Sequence, residues 1–332
     1  MSDPDHPQPP SYVTHDVIRP DPAESLAIGA ELSFQGGLIT GSGGRATRTG
    51  MKDWHTFNGM LLSMQFHADG EDRVDGSAIL VAPGVALCAS HVLAKYGEAL
   101  LRGPVECICV GPTRHGLQMW RLSHVTSVPN SDLSIISLTY ASALPPDLTF
   151  HQGTISTRLP RLGERLSLYG FRQSSIRWTP ESPPKLECRG DVLVCRGEVT
   201  QRYPNGRDRV MIPGPTLEVD CPAFGGMSGG PVYDEQGFLV GLVCSSLDDG
   251  AAGGPAWVSL LWPALAHPFS GGWPTDTWTY PTTLHALEGI CNIRGREAYR
   301  IEYDSQMNAS WSVDWSEEEA GLGDEQQPGP SG

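Results

Sequence analysis

A serine, a histidine and an aspartate in this chain have the residue types and the order that nucleophilic catalysis requires. Ser228 lies in the glycine-rich segment GGMSGGPV, His91 in LCASHVL, and Asp132 in SDLSIISL. A serine hydroxyl becomes a useful nucleophile when an adjacent base takes its proton, and imidazole has a suitable pKa for that role. A carboxylate on the second ring nitrogen fixes the tautomer of the imidazole and stabilises the imidazolium. The three residues therefore predict attack on a carbonyl group by Ser228, with His91 as the base and Asp132 as its orienting partner.

The glycines around Ser228 meet a second requirement of this chemistry. Negative charge develops on the carbonyl oxygen during attack, and backbone N–H groups directed at that oxygen stabilise it. Glycine adopts the unusual backbone angles of such a turn at little cost. We expect the N–H groups of Gly226 and Ser228 to form this oxyanion hole.

Each of these residues has a plainer interpretation when it is taken alone. A glycine-rich turn with a serine is often only a hairpin, and a histidine after an apolar run is often structural. An aspartate before a strand is often a turn residue. The agreement of all three in order favours the catalytic interpretation.

These segments resemble those of the trypsin-like serine proteases of the chymotrypsin family, particularly the bacterial members without a secretory architecture. Residues 87–92 are similar to the family's T-A-A-H segment, and residues 132–136 to its D-I-A-L-L strand. Residues 226–232 are similar to G-x-S-G-G-P-V, and residues 75–84 to the hairpin that precedes the histidine. The gaps between the three candidate residues are also of the family's size. The resemblance covers roughly residues 52–266.

The resemblance implies an all-β fold of two six-stranded antiparallel β-barrels with the active site in the cleft between them. His91 and Asp132 would come from the first barrel and Ser228 from the second. The residue pattern agrees, because short apolar runs alternate with Gly, Pro, Asn and Asp turns, which is typical of an antiparallel sandwich or barrel. We expect strands at residues 59–66, 77–81, 85–89, 105–110, 133–138, 165–169, 192–199, 209–212, 216–219, 231–233 and 238–243.

Two departures from the family pattern matter for activation and redox state. Met227 precedes the nucleophile, where activatable secreted members carry an aspartate that pairs with a new N-terminal amine. A methionine cannot make that pair, so the sequence argues against activation by insertion of a new N-terminus. The family's disulfide that begins just after the histidine is also missing, because Val92 stands there and Cys88 precedes His91 instead.

The resemblance also locates a first specificity pocket for the substrate. It maps to Pro222 and Ala223 before the nucleophile, to Ser245 and Ser246 on the strand after it, and to Ala256 on a return strand. Trypsin-like specificity would require an acid at the position of Pro222, so we expect a preference for uncharged side chains. Asp248 and Asp249 lie close in sequence, and their field favours a basic side chain as the alternative.

Composition excludes several other classes of protein. The net charge of −15 argues against a nucleic-acid partner, since phosphate binding requires a basic surface. The first ten residues have no apolar core typical of a signal peptide, and no apolar run approaches the length of a membrane span. Eight cysteines in 332 residues are too few for a disulfide scaffold, and we expect mostly free, buried thiols in a cytoplasmic protein. Cys107 and Cys109 would share one face of a strand, which suits packing better than zinc.

The chain divides into four parts. We expect a flexible N-terminal extension at residues 1–51, a protease domain at 52–266, an aromatic C-terminal extension at 267–311, and an acidic disordered tail at 312–332. The extension contains a short helix at residues 282–290 in this interpretation, and it packs on the barrel or on a partner.

The sequence therefore predicts a serine endopeptidase that hydrolyses peptide bonds in protein or peptide substrates through an acyl-enzyme intermediate. The prediction includes no cofactor, no metal, no nucleic acid and no membrane. One alternative keeps the protease latent until an activating protein partner binds. Another is a catalytically silent protease-fold module that binds extended peptides or scaffolds a complex.

Overall fold

The computed structural model describes residues 14–16, 29–40, 47–49, 59–68, 71–113, 116–141, 152–179, 185–246, 254–274, 278, 280–305, 309–313 and 315. The strands in chain order are β1 (Thr14–Asp16), β2 (Gly29–Thr40), β3 (Thr47–Thr49), β4 (Leu61–Ala68), β5 (Glu71–Ala82), β6 (Val85–Ala89), β7 (Glu106–Thr113), β8 (Gly116–Val128), β9 (Leu133–Tyr140), β10 (Ile155–Ser156), β11 (Arg165–Thr179), β12 (Lys185–Tyr203), β13 (Thr216–Val219), β14 (Pro231–Tyr233), β15 (Leu239–Ser246), β16 (Ala256–Leu260), β17 (Ile293–Arg294), β18 (Tyr299–Tyr303) and β19 (Ala309–Val313). The α-helices are α1 (Ser90–Ala94), α2 (Gly97–Arg102) and α3 (Trp262–Ala266).

Two closed six-stranded antiparallel β-barrels make up the body of the fold, as the sequence predicts. The first has the strand order β8-β7-β4-β5-β6-β9 and closes by pairing of β8 with β9. The second has the order β11-β14-β15-β16-β13-β12 and closes by pairing of β11 with β12. Closure pairs the last strand of each barrel with its first.

The strands that carry the candidate site are apolar on both faces, because each face meets a different core. All five side chains of β6 are buried. Ala86 and Cys88 face the interior of the first barrel, whereas Val85 and Leu87 belong to a second core shared by both barrels. Successive side chains of a strand point to opposite faces, so a fully buried strand must have a core on each side. The ends of β6 and of its neighbour β9 therefore lie against the second barrel.

Some of the expected strands agree with the structure and others do not. The bounds of β6, β13 and β14 agree with the expected 85–89, 216–219 and 231–233. The strand expected at residues 209–212 is wrong. That segment is a bend in which the Asp208 carboxylate accepts hydrogen bonds from the N–H groups of Val210, Met211 and Ile212. A side chain that satisfies three successive backbone donors competes with strand pairing.

Further strands join the barrels from the predicted N-terminal extension. β1 pairs with β8, β2 runs parallel to β12, and β3 pairs with β2. The sequence predicts a flexible extension at residues 1–51. Part of this extension forms these three strands, and the rest lies outside the described part of the chain. Most of the predicted acidic tail, residues 316–332, also lies outside it.

The C-terminal extension packs on both barrels. Its β17 pairs with β10, which in turn pairs with β15 of the second barrel. The Ser137 hydroxyl of the first barrel donates to the carbonyl oxygen of Ser270 at 2.7 Å. The helix expected at residues 282–290 is a single 3-10 turn, Leu284–Ala286, whose start is capped by the Thr283 side chain. No helix among the described residues is both long enough and apolar enough to span a membrane.

Candidate active site

The pairing of β6 with β9 brings His91 and Asp132 together. Ala89 at the end of β6 is paired with Leu133 at the start of β9, so the residues just beyond these ends are neighbours. The His91 Nδ1–H group donates to Asp132 Oδ2 at 2.8 Å, and the backbone N–H of His91 donates to Asp132 Oδ1 at 3.0 Å. The Asp132 side chain is 6% exposed and that of His91 44% exposed. A buried carboxylate thus orients an imidazole whose ring reaches solvent.

A cysteine of the second barrel also contacts this carboxylate. The Cys244 thiol of β15 donates to Asp132 Oδ2 at 2.8 Å. Burial, together with the nearby Asp132 carboxylate, raises the pKa of the Cys244 thiol well above its ordinary value. The thiol is therefore protonated and acts as a donor. Cys244 directly precedes Ser245 of the expected specificity pocket in the sequence, and no local pattern indicated its contact with Asp132.

The Ser228 turn is held against the end of β6 by backbone contacts. The N–H of Ser77 donates to the carbonyl oxygen of Ser228 at 2.8 Å, and the N–H of Gly229 donates to that of Val243 at 2.7 Å. Gly229 has φ +81°, and a Cβ there would lie 2.2 Å from the Ser77 carbonyl oxygen and 2.8 Å from the Ala89 nitrogen. Only glycine fits this approach. Ser228 from the second barrel thus lies beside the strand end that leads into His91.

Within the same turn, the N–H groups of Met227, Gly229 and Gly230 have backbone acceptors, whereas that of the exposed Gly225 has none among the described residues. Met227 donates to Phe224 at 3.0 Å, and Gly230 donates to Met227 at 2.8 Å, while Gly229 is bound as above. By contrast, the N–H groups of Gly226 and Ser228 have no acceptor among the described residues. These are the two donors that the sequence assigns to the oxyanion hole.

Ser77 fixes the direction of the peptide groups in this turn. Its hydroxyl donates to the Gly226 carbonyl oxygen at 2.8 Å and accepts from the Phe171 N–H at 2.9 Å. With its N–H on the Ser228 carbonyl oxygen, Ser77 holds two carbonyl groups of the turn on the interior side. Ser77 is completely buried. The sequence placed it in the hairpin before His91 and gave it no separate role.

Met227 is anchored in an apolar environment. Its side chain is completely buried in the core shared by the two barrels, and its Cα and Cβ pack against the backbone of Gly170.

The short α1 helix that carries His91 is fastened to β5 by one carboxylate. Asp75 Oδ2 accepts hydrogen bonds from Lys95 Nζ, at 2.6 Å, and from the Tyr96 hydroxyl. Burial alone would raise the pKa of Asp75, but the hydrogen bonds from Lys95 and Tyr96 outweigh it and lower that pKa.

The residues expected to line the specificity pocket are apolar and buried where their side chains are described. Pro222, Ala223 and Ala256 are all buried. The backbone of Ser246 is paired with that of Ala256, while the side chains of Ser245 and Ser246 lie outside the described part of the structure. Asp248 and Asp249 also lie outside it.

The cysteines with described side chains are buried free thiols: Cys88, Cys107, Cys109, Cys195, Cys221, Cys244 and Cys291. Among the described residues, one group of side chains has atoms close enough to hold a metal ion together, namely His91, Asp132 and Cys244.

Comparison with known proteins gives one family match and several similar solved structures. Residues 76–242 match the family description "Trypsin-like peptidase domain". No curated protein matches the chain. Among solved structures, the MamO protease domain from Magnetospirillum magneticum is similar at 17% identity and a TM-score of 0.44, over 63% of this chain and 95% of that one. The HtrA-type protease AlgW with tripeptide is similar at 17% identity and a TM-score of 0.42, over 61% of this chain and 57% of that one.

Proposed function

We propose that this chain, which belongs to the family of trypsin-like peptidases, is a serine endopeptidase acting on protein or peptide substrates. The observation that carries the proposal is the meeting of two parts at the barrel interface. The first barrel supplies a histidine bound to a buried carboxylate. The second supplies a glycine-rich turn with a serine and two unused N–H groups.

The reaction follows from the positions of these groups. The Ser228 hydroxyl attacks the peptide carbonyl carbon, and His91 Nε2 accepts its proton while Nδ1–H remains bound to Asp132. The N–H groups of Gly226 and Ser228 bind the oxygen on which negative charge develops. The imidazolium of His91 then protonates the leaving amine, which leaves an acyl group on Ser228. Water activated by His91 hydrolyses this ester and restores the enzyme.

Asp132 keeps His91 in the tautomer that this cycle requires. Its carboxylate accepts from the ring and from the backbone N–H of His91, and from the Cys244 thiol. Because the carboxylate accepts from Nδ1–H of the ring, Nε2 is left available as the base.

The proposal also covers the side-chain preference for the substrate and the control of the enzyme. The apolar lining by Pro222, Ala223 and Ala256 favours substrates with an uncharged side chain next to the scissile bond. The buried Met227 leaves no carboxylate to receive a new N-terminal amine, so control by substrate supply or by a protein partner replaces proteolytic activation.

Labelling with a fluorophosphonate probe tests the nucleophile directly. We expect the wild-type protein to be labelled and Ser228→Ala to lose labelling, with turnover of peptide substrates reduced by roughly 10⁴-fold or more. Ser312→Ala, a change of the same kind at an exposed position of β19, should be labelled like the wild type. The fold should be unchanged in both variants by circular dichroism.

Equal labelling of Ser228→Ala and wild type would contradict the proposal. Absence of labelling in every folded variant would favour the silent peptide-binding module or a latent enzyme. Addition of extended peptides would then separate these two, because only the module binds them without cleavage.

A further inference from the structure

The carboxylate that orients His91 is the meeting point of two further ligand-type atoms. Asp132 Oδ2 lies 2.8 Å from His91 Nδ1 and 2.8 Å from Cys244 Sγ. The ligand atoms of the three residues all lie within 4.8 Å of one another. An imidazole nitrogen, a thiol sulfur and a carboxylate oxygen are the three donor types that bind zinc in proteins.

We propose that His91, Asp132 and Cys244 form an inhibitory binding site for a thiophilic divalent metal ion such as Zn²⁺ or Cd²⁺. Metal binding differs chemically from catalysis, because it replaces the hydrogen bonds of Asp132 with His91 and Cys244 by metal–ligand bonds. The inhibitory consequence rests on the proposed function, whereas the binding itself does not.

The distances between the three ligand atoms suit one small ion if these atoms move modestly. Zinc–sulfur bonds of about 2.3 Å and zinc–nitrogen or zinc–oxygen bonds of about 2.1 Å at tetrahedral angles place the ligand atoms roughly 3.4–3.6 Å apart. The two observed distances of 2.8 Å must therefore open by less than about 1 Å. Of the three ligands, His91 is the one that reaches solvent, since its side chain is 44% exposed. Water can supply the fourth ligand.

The balance of charge favours the replacement of these hydrogen bonds by metal–ligand bonds at the buried Asp132 carboxylate. The S–H bond of Cys244 breaks, its proton goes to solvent, and a sulfur–metal bond forms. The proton of neutral His91 moves through solvent from Nδ1 to Nε2, and Nδ1 binds the ion. One thiolate and one carboxylate then neutralise the divalent cation, and the single uncompensated charge of buried Asp132 disappears.

The tautomer change explains why the ion would inhibit. With Nδ1 on the metal, His91 Nε2 carries a hydrogen and donates, so it cannot accept the proton of Ser228. The thiolate ligand also sets the selectivity. Zinc and cadmium bind thiolates well, whereas Mg²⁺ and Ca²⁺ prefer oxygen ligands alone. Magnesium and calcium should therefore have no effect.

Cadmium titration of the full chain tests the site without reference to catalysis. We expect the wild-type protein to bind one Cd²⁺ with the ultraviolet charge-transfer band of a cadmium–thiolate bond, and isothermal calorimetry to give the affinity. Loss of partners outside the ligand set already costs 10–100-fold in metal affinity, so Cys244→Ser should weaken binding by about 100-fold or more and remove the band. Cys291→Ser, the same change at a buried thiol of the C-terminal extension, should retain both.

His91→Gln provides a second test that does not alter the barrel interior, and it should weaken binding while leaving the protein folded. A band that persists in Cys244→Ser, or an affinity unchanged in His91→Gln, would overturn the proposal, as would absence of binding to the wild type. In parallel, Zn²⁺ should suppress fluorophosphonate labelling of the wild type, with restoration by a chelator. If the metal-free wild type is not labelled at all, the isolated chain is either the silent module or a latent enzyme, while the band and the affinity still decide the metal site.

Discussion

Ser77 is the residue through which the first barrel controls the oxyanion turn of the second. Its hydroxyl is shared between the Gly226 carbonyl oxygen and the Phe171 N–H, and its N–H binds the Ser228 carbonyl oxygen. Ser77 thus holds the peptide groups that join Gly226 to Met227 and Ser228 to Gly229. These two peptide groups lie on either side of the Ser228 N–H, and the first directly follows the Gly226 N–H. The direction of both donors therefore depends on Ser77 through the backbone torsions of the turn.

We expect Ser77→Ala to lower kcat by about 10–100-fold with a smaller change in KM, because the lost contact orients the donors used in the transition state. The free energy of unfolding should fall by about 1–3 kcal/mol, since two buried polar groups lose a partner. Steady-state kinetics and urea unfolding measure the two effects. Ser63→Ala is the control, because Ser63 is equally buried in the same barrel and, among the described residues, makes no hydrogen bond to the turn. A similar loss of kcat in both variants would assign Ser77 a merely structural role.

At this scale the sequence predicts the residues of the local motifs and misses those that act through tertiary contacts. His91, Asp132 and Ser228 each lie in a recognisable segment, and the structure brings these segments to the barrel interface. Ser77 and Gly226 are 149 positions apart, and Asp132 and Cys244 are 112 apart. Neither contact leaves a trace in the residues around it, so no pattern could indicate them.

The turn between β14 and β15, directly after the Ser228 segment, depends on an ion-paired cluster. The Asp234 carboxylate, which is 1% exposed, accepts from the N–H groups of Gln236 and Phe238. Arg158 Nη2 lies 3.2 Å from Asp234, and the Arg158 guanidinium donates two hydrogen bonds to Glu164, at 2.5 and 2.7 Å. Bidentate pairing of this kind gives geometric specificity as well as attraction.

Glu164 makes this cluster sensitive to acid. Burial would raise the pKa of Glu164, but the hydrogen bonds from Arg158 and Arg161 lower it below its ordinary value of 4.5. A depressed carboxylate contributes stability that is complete above the ordinary pKa and is lost as the pH falls through the lower folded value. We expect Glu164→Gln to cost about 1 kcal/mol at pH 7, and this difference from the wild type to vanish in acid below that folded value.

Urea unfolding of both proteins, at neutral pH and at several acidic values, checks this expectation. Glu98→Gln is the matched control, because the Glu98–Arg102 pair is exposed on both sides, at 77% and 71%. An exposed pair of this kind contributes little to stability. A difference between wild type and Glu164→Gln that stays constant down to strongly acidic pH would contradict the argument.

Element boundaries show where sequence patterns suffice and where they do not. The apolar runs of β6, β13 and β14 are short and bounded by turn residues, and their bounds agree with expectation. The sequence predicts no strand at the residues of β8, because they mix polar and apolar types without strict alternation. In the structure β8 nevertheless pairs with both β7 and β9. In the segment of residues 209–212, the hydrogen bonds of Asp208 outweigh apolar composition. Pairing partners and side-chain competition decide these cases, and neither is visible in a local window.

At the scale of the molecule, one core joins the two barrels and the C-terminal extension. Its buried residues include Ile79, Leu87 and Ile135 of the first barrel, Leu166, Val219 and Leu242 of the second, and Phe269, Leu284 and Tyr299 of the extension. The resemblance predicted two barrels, but it offered no template for the extension. The aromatic composition of the extension favoured packing on the barrel or on a partner. In the structure the extension packs on both barrels.

Trp273 is one of the residues by which the extension contacts the first barrel. Its ring centroid lies 5.7 Å from those of Trp120 and of Tyr140, and its carbonyl oxygen accepts from Trp278 Nε1 at 2.7 Å. Trp278 itself packs on Phe269 in the shared core. We therefore expect Trp273→Ala to lower the free energy of unfolding of the whole molecule by about 2–4 kcal/mol, at the lower end of costs for buried aromatic residues because the ring is partly exposed.

Because the shared core draws on both barrels and on the extension, their unfolding should be coupled in a single transition. Urea unfolding followed by tryptophan fluorescence and by far-ultraviolet circular dichroism measures this, and the two curves should coincide for wild type and Trp273→Ala. Tyr280→Ala is the control, since Tyr280 belongs to the same extension and is 80% exposed, and its midpoint should match that of the wild type. Separate transitions in Trp273→Ala, with one unchanged, would mean that the extension stabilises a single barrel and that the cleft between the two can open independently of it.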